Sequence, residues 1–516
     1  MREVDVIIIG AGMGGLASAI SLASRGYGVL VVERAAAPGG KMREIMIDGR
    51  AIDSGPTVFT MRWVFDALLE RAGTTLEQEV NIKQARVLAR HVWDGAPDEI
   101  LDLHADINEA ADTIGRFAGP READGYRAFC RETRDIFNTL KDPFMAAQRP
   151  SLFNLPLRTG LSGVVNLART KPLEKMWSAL GKHFQDPRLR QLFGRYATYC
   201  GSSPFEAAAT LMLVAHVEQD GVWLVKGGMH NLAKALERVA QRLDAKFMYD
   251  SCVSKILVEG GAVAGVRLAD GQTIKSKIVI SNADVAAVAS GLFGPDVQKT
   301  VPVIPTEARS LSAMTWSMNT NTHGFPLARH SVFFSQNYQA EFDDLFKQRK
   351  VPNNPTVYIC AQDRNDAGLR AQNGKERLLV LINAPATGDK RDFSAQEIGL
   401  LEDRTFNLLS RCGLSVERTP SHSQVTTPAD FNHLFPASGG ALYGRASHGF
   451  MSSFQRPGAS TAIPGLYLAS GSAHPGPGIP MASLSGILAA EQIAANHKMA
   501  HIAPRVVASE HMEAAQ

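Results

Sequence analysis

Cysteine is scarce in this chain: there are five in 516 residues, far apart, with no C-x-x-C pair and no cluster with histidine. Such usage argues against a disulfide framework and against a zinc site, and it is typical of a reducing cytosol. No metal site is therefore predicted. Charge of either sign is hardly in excess, since the net charge is +3. This balance gives no electrostatic basis for binding nucleic acid.

Long apolar runs are missing as well. Residues 4–32 have high hydropathy, but glycines interrupt them, and Glu3 and Asp5 stand at their start in place of the basic region of a signal peptide. No other stretch approaches the roughly 20 apolar residues of a membrane span. We therefore expect a buried strand, a turn and a packed helix at residues 4–32, and no spanning segment.

The most informative stretch is residues 4–33. A β-branched strand leads into G-x-G-x-x-G at Gly10, Gly12 and Gly15, followed by a small-residue helix and a second apolar strand that ends at Glu33. In a dinucleotide-binding unit the glycines allow a tight turn, the approach of a pyrophosphate and close packing of helix on strand. Free N–H groups at the helix N-terminus attract the phosphates. The acid accepts the ribose hydroxyls and disfavours NADP.

Two further narrow loops follow, which a nicotinamide-only enzyme does not need. One surrounds a glycine pair and the other is a D-S-G-P-T segment, and their candidate cofactor-binding residues are Arg34, Gly39, Gly40, Lys41, Gly55, Pro56 and Thr57. Both resemble segments of the flavoprotein superfamily that contains amine oxidases and carotenoid desaturases. The resemblance implies that the first loop lines the FAD diphosphate and that the second passes near the isoalloxazine. Ordinary loop turns are the alternative for either segment alone.

Glycine and proline are dense again at residues 471–480, ahead of a predicted helix over 482–497. A plain turn needs only one or two such residues, so a ligand is expected close to the backbone. In the resembled superfamily this stretch closes over the flavin, the helix N-terminus faces the flavin N1/C2=O edge, and a mid-chain valine backbone meets the adenine. The resemblance therefore implies cofactor contacts at Val253, Gly471, Gly478, Ile479, Pro480 and Met481.

These motifs predict an α/β fold in which a Rossmann-type FAD-binding domain is interleaved with a mixed α+β substrate domain. The FAD-binding domain is expected to comprise residues 1–90, 225–291 and 440–499. The substrate and membrane-contact domain is expected to comprise residues 91–224 and 292–439, followed by a flexible tail at 500–516. The middle FAD-binding segment predicts a helix over 227–240 and then a β-meander that leads into a strand at 278–281.

Three stretches of the sequence indicate which branch of the flavoprotein superfamily the chain resembles. Residues 474–480 resemble the H-P-G-x-G-x-P motif of phytoene-desaturase-type carotenoid desaturases, and residues 53–73 and 430–449 look most like the hydroxyneurosporene desaturase group. The likeness covers nearly the whole chain. It implies a carotenoid-biosynthetic enzyme that introduces a C-3,4 double bond into 1-hydroxycarotenoids of the hydroxyneurosporene or rhodopin type. The FAD is expected to be noncovalent, because no cysteine follows Cys412 near the C-terminal motif.

Several other functions stay open at this point. The same scaffold serves a multistep phytoene or neurosporene desaturase, or a carotenoid isomerase that uses reduced flavin without net oxidation. An amine oxidase would need an aromatic cage, and none is legible among 5 Trp and 9 Tyr. A non-catalytic FAD-binding partner is a further alternative.

The catalytic groups are not assigned by the sequence. His474 is the one candidate acid or base, and the alternative is that its ring bonds the cofactor or the loop backbone. Asp53 and Arg62 are expected to be structural.

The partners follow from the family resemblance. They are a C40 carotenoid substrate and, as electron acceptor, a quinone or O₂. Such a substrate must be drawn from a membrane, and residues 149–193 mix apolar side chains with cations and contain few acids, as in monotopic contacts with anionic lipid. A domain cap with a solvated basic face explains this composition equally well. The expected location is cytoplasmic, peripheral on the inner face of the bacterial membrane.

Overall fold

The computed structural model describes residues 4–150, 170–370 and 374–496, and its fold is mixed α/β. The strands are β1 (Val6–Ile9), β2 (Val29–Val32), β3 (Glu44–Ile47), β4 (Arg50–Asp53), β5 (Ile82–Gln84), β6 (Val87–Trp93), β7 (Ala96–His104), β8 (Trp223–Val225), β9 (Lys246–Met248), β10 (Val253–Glu259), β11 (Ala262–Leu268), β12 (Thr273–Lys275), β13 (Ile278–Ser281), β14 (Ser312–Thr320), β15 (Thr322–Gly324), β16 (His330–Phe334), β17 (Val357–Ala361), β18 (Glu376–Ala384), β19 (Leu414–Val416), β20 (Ser423–Thr426) and β21 (Leu466–Leu468).

The α-helices connect and cover these strands. They are α1 (Met13–Ala23), α2 (Trp63–Glu70), α3 (Leu76–Glu79), α4 (Ile107–Ala118), α5 (Pro120–Leu140), α6 (Met176–His183), α7 (Pro187–Gly194), α8 (Leu213–Gln219), α9 (His230–Arg242), α10 (Val285–Ala289), α11 (Pro295–Gln298), α12 (Tyr338–Phe342), α13 (Ala395–Arg411), α14 (Pro428–Leu434) and α15 (Ile479–Asn496). Short 3₁₀ or π turns lie at Lys141–Met145, Arg195–Cys200, Ala209–Met212, Thr306–Ala308, Asp343–Gln348, Pro420–His422 and Phe450–Gln455.

A five-stranded parallel sheet in the order β21-β13-β1-β2-β9 forms the centre of the nucleotide-type unit. Its strands are short and almost fully buried, as expected of apolar β-branched runs with both faces covered. The predicted strand–turn–helix at the N-terminus is confirmed by β1 and α1. The antiparallel β10-β11-β12 meander leading into β13 is confirmed as well.

Two helices from opposite ends of the chain touch backbone to backbone beside this sheet. A Cβ atom added at Gly486 of α15 would lie 2.1 Å from the carbonyl oxygen of Gly14 in α1. The Ser18 hydroxyl donates to the carbonyls of both residues, at 2.8 Å to Gly14 and 3.1 Å to Gly486. Gly15 has the role predicted for the third glycine, since a Cβ there would lie 2.1 Å from the Gly10 carbonyl oxygen.

A second sheet of seven strands has the order β20-β14-β18-β17-β16-β6-β7. It is antiparallel except where β16 runs parallel to β6. One face packs under α13, where Trp316 meets Phe406 edge to face. The sheet begins at Val87, before the domain boundary expected at residue 90. The division into domains stays a prediction.

A helical layer formed by α4 to α8 covers the opposite face of the seven-stranded sheet. Its buried aromatic rings, including Phe129, Phe184 and Phe193, pack against one another. They belong to the same hydrophobic cluster as β1 and as Trp93 of the seven-stranded sheet, so the main core joins both sheets through the helices.

The segment predicted to contact a membrane is described only in part. Its apolar residues Leu152, Phe153, Leu155, Leu157, Leu161, Val164, Val165 and Leu167 lie outside the described residues. Farther along, Leu180 and Phe193 are core residues, and Leu173 is 86% exposed. Within the described residues no helix is both long and apolar enough to cross a membrane.

The contact between α1 and α15 generates a stability prediction. Gly486→Ala places a methyl group against backbone that cannot yield, and such overpacking costs about 1–3 kcal/mol. We therefore expect a lower midpoint of thermal unfolding. The matched control is Gly399→Ala in α13, where an added Cβ meets nothing within 4 Å. There the midpoint should rise slightly, because alanine is favoured over glycine in a helix by about 0.5–1 kcal/mol. Equal midpoints for the two variants would contradict the backbone contact.

Candidate active site

One cavity of about 1010 Å³ lies between the two sheets and the helical layer. This volume is at the upper end of the range for ligand pockets, about 300–1,000 Å³. Part of its lining comes from the carboxyl ends of the parallel strands and part from β14, β17 and β18 of the seven-stranded sheet. The cavity therefore joins a nucleotide-type cradle to a second chamber, here called the apolar chamber.

Most of the residues predicted to bind a cofactor line the cradle end of this cavity. They are Gly10, Gly12, Glu33, Arg34, Gly39, Gly40, Lys41, Gly55, Pro56, Thr57, Val253, Gly471, Gly478, Ile479, Pro480 and Met481. Gly15 and His474 are not among the lining residues. The cradle thus draws on both ends and the middle of the chain.

The N-terminus of α1 opens onto the cradle without a side-chain cap. Its N-cap residue is Gly12, no acid lies in its first turn, and Met13 and Gly14 line the cavity. The first N–H groups of a helix have no partners within the helix, and its positive dipole end attracts anions. The arrangement fits a diphosphate.

Glu33 is held at the end of β2 by two backbone donors. Its Oε2 accepts from the Ala11 N–H at 2.6 Å and its Oε1 from the Ala35 N–H at 2.8 Å. Each carboxylate oxygen keeps a second acceptor site. The carboxylate is therefore fixed in place and can still accept two ribose hydroxyls, as the sequence predicts.

Two cations face the cradle, the half-buried Lys41 and the buried Arg456. The Lys41 ammonium donates to the Leu442 carbonyl at 2.8 Å and lies 3.5 Å from Asp284, and burial lowers its pKa although Asp284 opposes this. The Arg456 guanidinium donates to backbone carbonyls, such as that of Tyr443 at 3.0 Å, and burial lowers its pKa to about 10. Both supply positive charge beside a site suited to phosphates.

Arg456 and Asn282 are cradle residues that sequence reasoning missed. Arg456 belongs to no glycine motif, so nothing local marks it. Asn282 directly follows β13, and its Oδ1 would lie 2.7 Å from a Cβ added at Gly12. A polar residue at the carboxyl end of the strand beside β1 is a usable signal, because ligands of open α/β sheets bind there.

A hydrogen-bonded chain of three side chains links the cradle to the seven-stranded sheet. The Thr57 and Tyr358 hydroxyls lie 2.6 Å apart, and the Tyr358 hydroxyl lies 2.7 Å from Nδ1 of His330. Burial lowers the pKa of His330 to about 3, so the ring is neutral at ordinary pH. Tyr358 thus marks where the cradle ends and the apolar chamber begins.

The apolar chamber has walls of aliphatic and aromatic side chains. Among them are Met61, Leu140, Phe144, Met145, Pro172, Leu211, Leu213, Val214, Val217, Leu379, Leu381, Phe450 and Phe454. Such walls can hold a long apolar molecule and exclude water from it.

One cation lies within the apolar chamber. The Arg195 guanidinium is 5.4 Å from the Tyr199 ring centroid and 5.3 Å from that of Tyr358. The Tyr199 hydroxyl donates to Glu218 at 2.6 Å, and Tyr196 donates to the same carboxylate. The faces of Tyr199 and Tyr358 are thus already in contact with a protein cation.

The three side chains considered for catalysis all have structural partners. Nε2 of His474 lies 3.0 Å from the Ala147 carbonyl oxygen, to which it donates, and burial lowers the pKa of the ring to about 4. The ring is therefore bonded to the backbone of the distant segment that follows α5, and not to the glycine-rich loop in which His474 lies. Asp53 accepts from the N–H of Met229 at 2.6 Å, and Arg62 bonds both oxygens of Asp66 at 2.9 Å.

Comparison with known proteins identifies the class. Residues 13–494 match the family model described as flavin containing amine oxidoreductase. The chain belongs to this family. Over 99% of its length it is 49% identical to a hydroxyneurosporene desaturase of Rubrivivax gelatinosus, covering 97% of that protein. It is 40% identical to a hydroxyneurosporene desaturase of Cereibacter sphaeroides, with 96% of this chain and 99% of that protein covered.

The fold is found in solved structures. A structure of wild-type putrescine oxidase bound to putrescine matches 96% of this chain and 99% of its own, with a TM-score of 0.59 and 15% identity. At this identity the likeness shows the fold alone. The family match and the two similar desaturases confirm the predicted FAD and the class of FAD-dependent oxidoreductase.

The neutral, buried His330 generates a pH prediction. In the unfolded chain its pKa is near the ordinary value of 6.5, against about 3 in the fold. Between these values the unfolded state binds more protons, so the free energy of unfolding falls as the pH falls. We expect His330→Asn, which keeps a partner for Tyr358, to reduce the loss of thermal midpoint between pH 7 and pH 5. The control is His323→Asn, whose parent side chain is 70% exposed. If the thermal midpoint of His330→Asn fell between pH 7 and pH 5 as much as that of wild type, the burial of a neutral ring would be contradicted.

Proposed function

We propose that this protein is an FAD-dependent carotenoid desaturase that introduces a C-3,4 double bond into 1-hydroxycarotenoids. The observation that carries the proposal is the single cavity in which a nucleotide cradle opens into an apolar chamber. The 49% identity to a hydroxyneurosporene desaturase over 99% of the chain supports the choice of substrate.

The FAD would be held noncovalently by the cradle. Glu33 would accept the ribose hydroxyls, and the uncapped start of α1 with Lys41 and Arg456 would attract the diphosphate. Gly55 to Thr57 and the start of α15 would border the flavin ring. The FAD-binding domain proposed for these groups comprises residues 1–90, 225–291 and 440–499, and residues 91–224 and 292–439 would form the substrate and membrane-contact domain.

The reaction removes two hydrogens from adjacent carbons and leaves a new C=C bond. Bound FAD supplies the acceptor for one hydrogen with its electron pair, and the second leaves as a proton. The walls of the apolar chamber would hold the polyene across the cofactor and keep water away, which is most of what the protein must contribute. A quinone or O₂ would then take the electrons.

An amine substrate fits the cavity less well. An ammonium group would seek aromatic faces and negative charge, yet Arg195 already lies against Tyr199 and Tyr358. The repulsion between two cations favours a neutral, apolar substrate.

The substrate would enter from a membrane. Thr170 and Pro172 line the cavity, and the neighbouring Leu173 is 86% exposed. An apolar side chain exposed to solvent next to residues of the cavity lining supports peripheral contact of this region with a bilayer. We place the protein on the cytoplasmic face of the bacterial membrane.

The role of Glu33 is tested by Glu33→Gln. The amide nitrogen cannot accept, so either Ala11 or Ala35 loses its partner, and the ribose loses a charged acceptor. Hydrogen bonds to charged groups contribute about 1.5–3 kcal/mol, so the dissociation constant for FAD should rise at least about tenfold. Titration of the apoprotein with FAD, followed by flavin fluorescence, measures it. Glu259→Gln, at the exposed end of β10, is the control. Unchanged FAD affinity in Glu33→Gln would remove Glu33 from the site.

The reaction is tested by competition in liposomes. The holoenzyme receives equal amounts of phytoene and 1-hydroxyneurosporene with a quinone acceptor, and the products are separated and analysed by mass and absorption. We expect loss of two hydrogens from the hydroxylated carotenoid alone, with a red-shifted spectrum. Stepwise conversion of phytoene would favour the multistep desaturase. Products of unchanged mass would favour the isomerase, and no change in either substrate would overturn both desaturase functions.

A further inference from the structure

Three buried polar groups that line the cavity have no hydrogen-bond partner among the described residues. The Tyr338 hydroxyl and Oε1 of Glu341 are two of them, and the third is the hydroxyl of Thr315 in β14. Tyr338 is 7% exposed and Glu341 is 2% exposed. Buried polar groups in proteins are nearly always paired, and leaving one unpaired is costly. Both groups therefore indicate a polar ligand atom inside an otherwise apolar chamber.

The two side chains belong to one site. Both lie on the short helix α12, three residues apart, which places them on the same face. The other oxygen of Glu341, Oε2, accepts from the Thr356 hydroxyl at 2.7 Å and from the Ser335 hydroxyl at 3.2 Å. The side chain of Asn383, which also lines the cavity, interacts with the same carboxyl group. The carboxyl group is therefore held in one orientation, and no described residue lies within hydrogen-bond geometry of Oε1.

The charge state of this carboxyl group selects its partner. Burial raises the pKa of Glu341 to about 7, although hydrogen bonds from the side chains of Thr356, Ser335 and Asn383 oppose this. The group is therefore present in both acid and carboxylate forms near neutrality. An alcohol suits both forms, because its oxygen accepts from the acid and its O–H donates to the carboxylate.

The site lies close to the end of the chamber that faces the cofactor. Thr356, which orients Glu341, precedes Tyr358 by two residues at the start of β17, a distance of about 7 Å along the strand. Tyr358 is hydrogen-bonded to Thr57 of the segment proposed to border the flavin. In a 1-hydroxycarotenoid the hydroxyl carbon and the C3–C4 bond are close along the same short end of the molecule. A carotenoid hydroxyl bound near Thr356, about 7 Å along the strand from Tyr358, would leave the C3–C4 bond beside the cofactor.

We propose that Tyr338 and Glu341 bind the C1 hydroxyl of the carotenoid and so select the hydroxylated end and set which bond reaches the flavin. This rests on the proposed function and names its specificity determinant. The apolar walls bind any polyene of suitable length, whereas two buried polar groups are satisfied only by a substrate with a hydroxyl. A site built this way rejects the analogue that lacks the group.

The test measures binding and not turnover. The FAD-loaded protein in detergent micelles is titrated with 1-hydroxyneurosporene and, separately, with neurosporene, followed by the absorption shift of the bound carotenoid. We expect wild-type protein to prefer the hydroxylated compound by about tenfold, the value of one or two hydrogen bonds. Tyr338→Phe removes one partner and should cut this preference about fivefold, with little change in the affinity for neurosporene.

Two further variants complete the test, one as a control and one as a second change in the site. Tyr27→Phe is the matched control, because Tyr27 also has a buried hydroxyl without a partner and lies outside the cavity lining; its preference should equal that of wild type. Glu341→Met removes the second hydrogen-bond partner of the carotenoid hydroxyl and should also reduce the preference for the hydroxylated carotenoid. Retention of bound FAD shows that this variant is folded. The preference is the ratio of the affinities of one variant for the two carotenoids. A general loss of packing lowers both affinities and leaves this ratio unchanged.

The outcomes separate the two proposals. Equal binding of both carotenoids by wild type, or an unchanged preference in Tyr338→Phe and Glu341→Met, would overturn the hydroxyl site and leave the desaturase standing. An equal loss of affinity for both ligands would show that the two residues only pack, with the same consequence. Failure of wild-type protein to bind either carotenoid would overturn the proposed function itself.

Discussion

The backbone contact between α1 and α15 is the constraint on which the rest of the structure depends. Without side chains at Gly14 and Gly486, the first and last helices approach until a Cβ at Gly486 would lie 2.1 Å from a carbonyl oxygen. That approach places the start of α15 next to the start of α1, so both helix N-termini border one cavity. Two positive dipole ends thus border the same cavity, an arrangement that neither end of the chain could build alone.

Charge and polarity are distributed along the cavity according to what each part would bind. The cradle has Lys41, Arg456 and free N–H groups, which suit phosphates. The chamber is aliphatic and aromatic apart from a few buried polar groups, and each of these is costly to leave unpaired. Glu341 is informative for that reason: a carboxyl group 2% exposed in an apolar wall is retained against its desolvation cost only where a partner is expected.

The cradle was predictable from the sequence because its motifs are local. A glycine turn, a strand and an acid such as Glu33 lie within one βαβ unit, and their spacing carries the geometry. Arg456 and Asn282 were missed because their roles depend on strands brought together from distant parts of the chain. The chamber could not be predicted for the same reason: Tyr338 and Glu341 lie on α12, whereas Thr356 directly precedes β17 and Thr57 lies far earlier in the chain, and no motif along the chain relates these segments. His474 drew attention by its motif, yet its ring faces the Ala147 carbonyl.

The order of strands in the parallel sheet has a consequence for synthesis. β21, at Leu466–Leu468, pairs with β13, and α15 follows it to residue 496. Residues 1–465 therefore leave the ribosome before this edge strand and α15 are made. Until both are made, the cradle lacks the part of its lining that comes from residues 470–482, and the aliphatic walls of the chamber stay open to solvent or to chaperones. The order of synthesis thus delays completion of the cradle until after the rest of the cavity lining has been made.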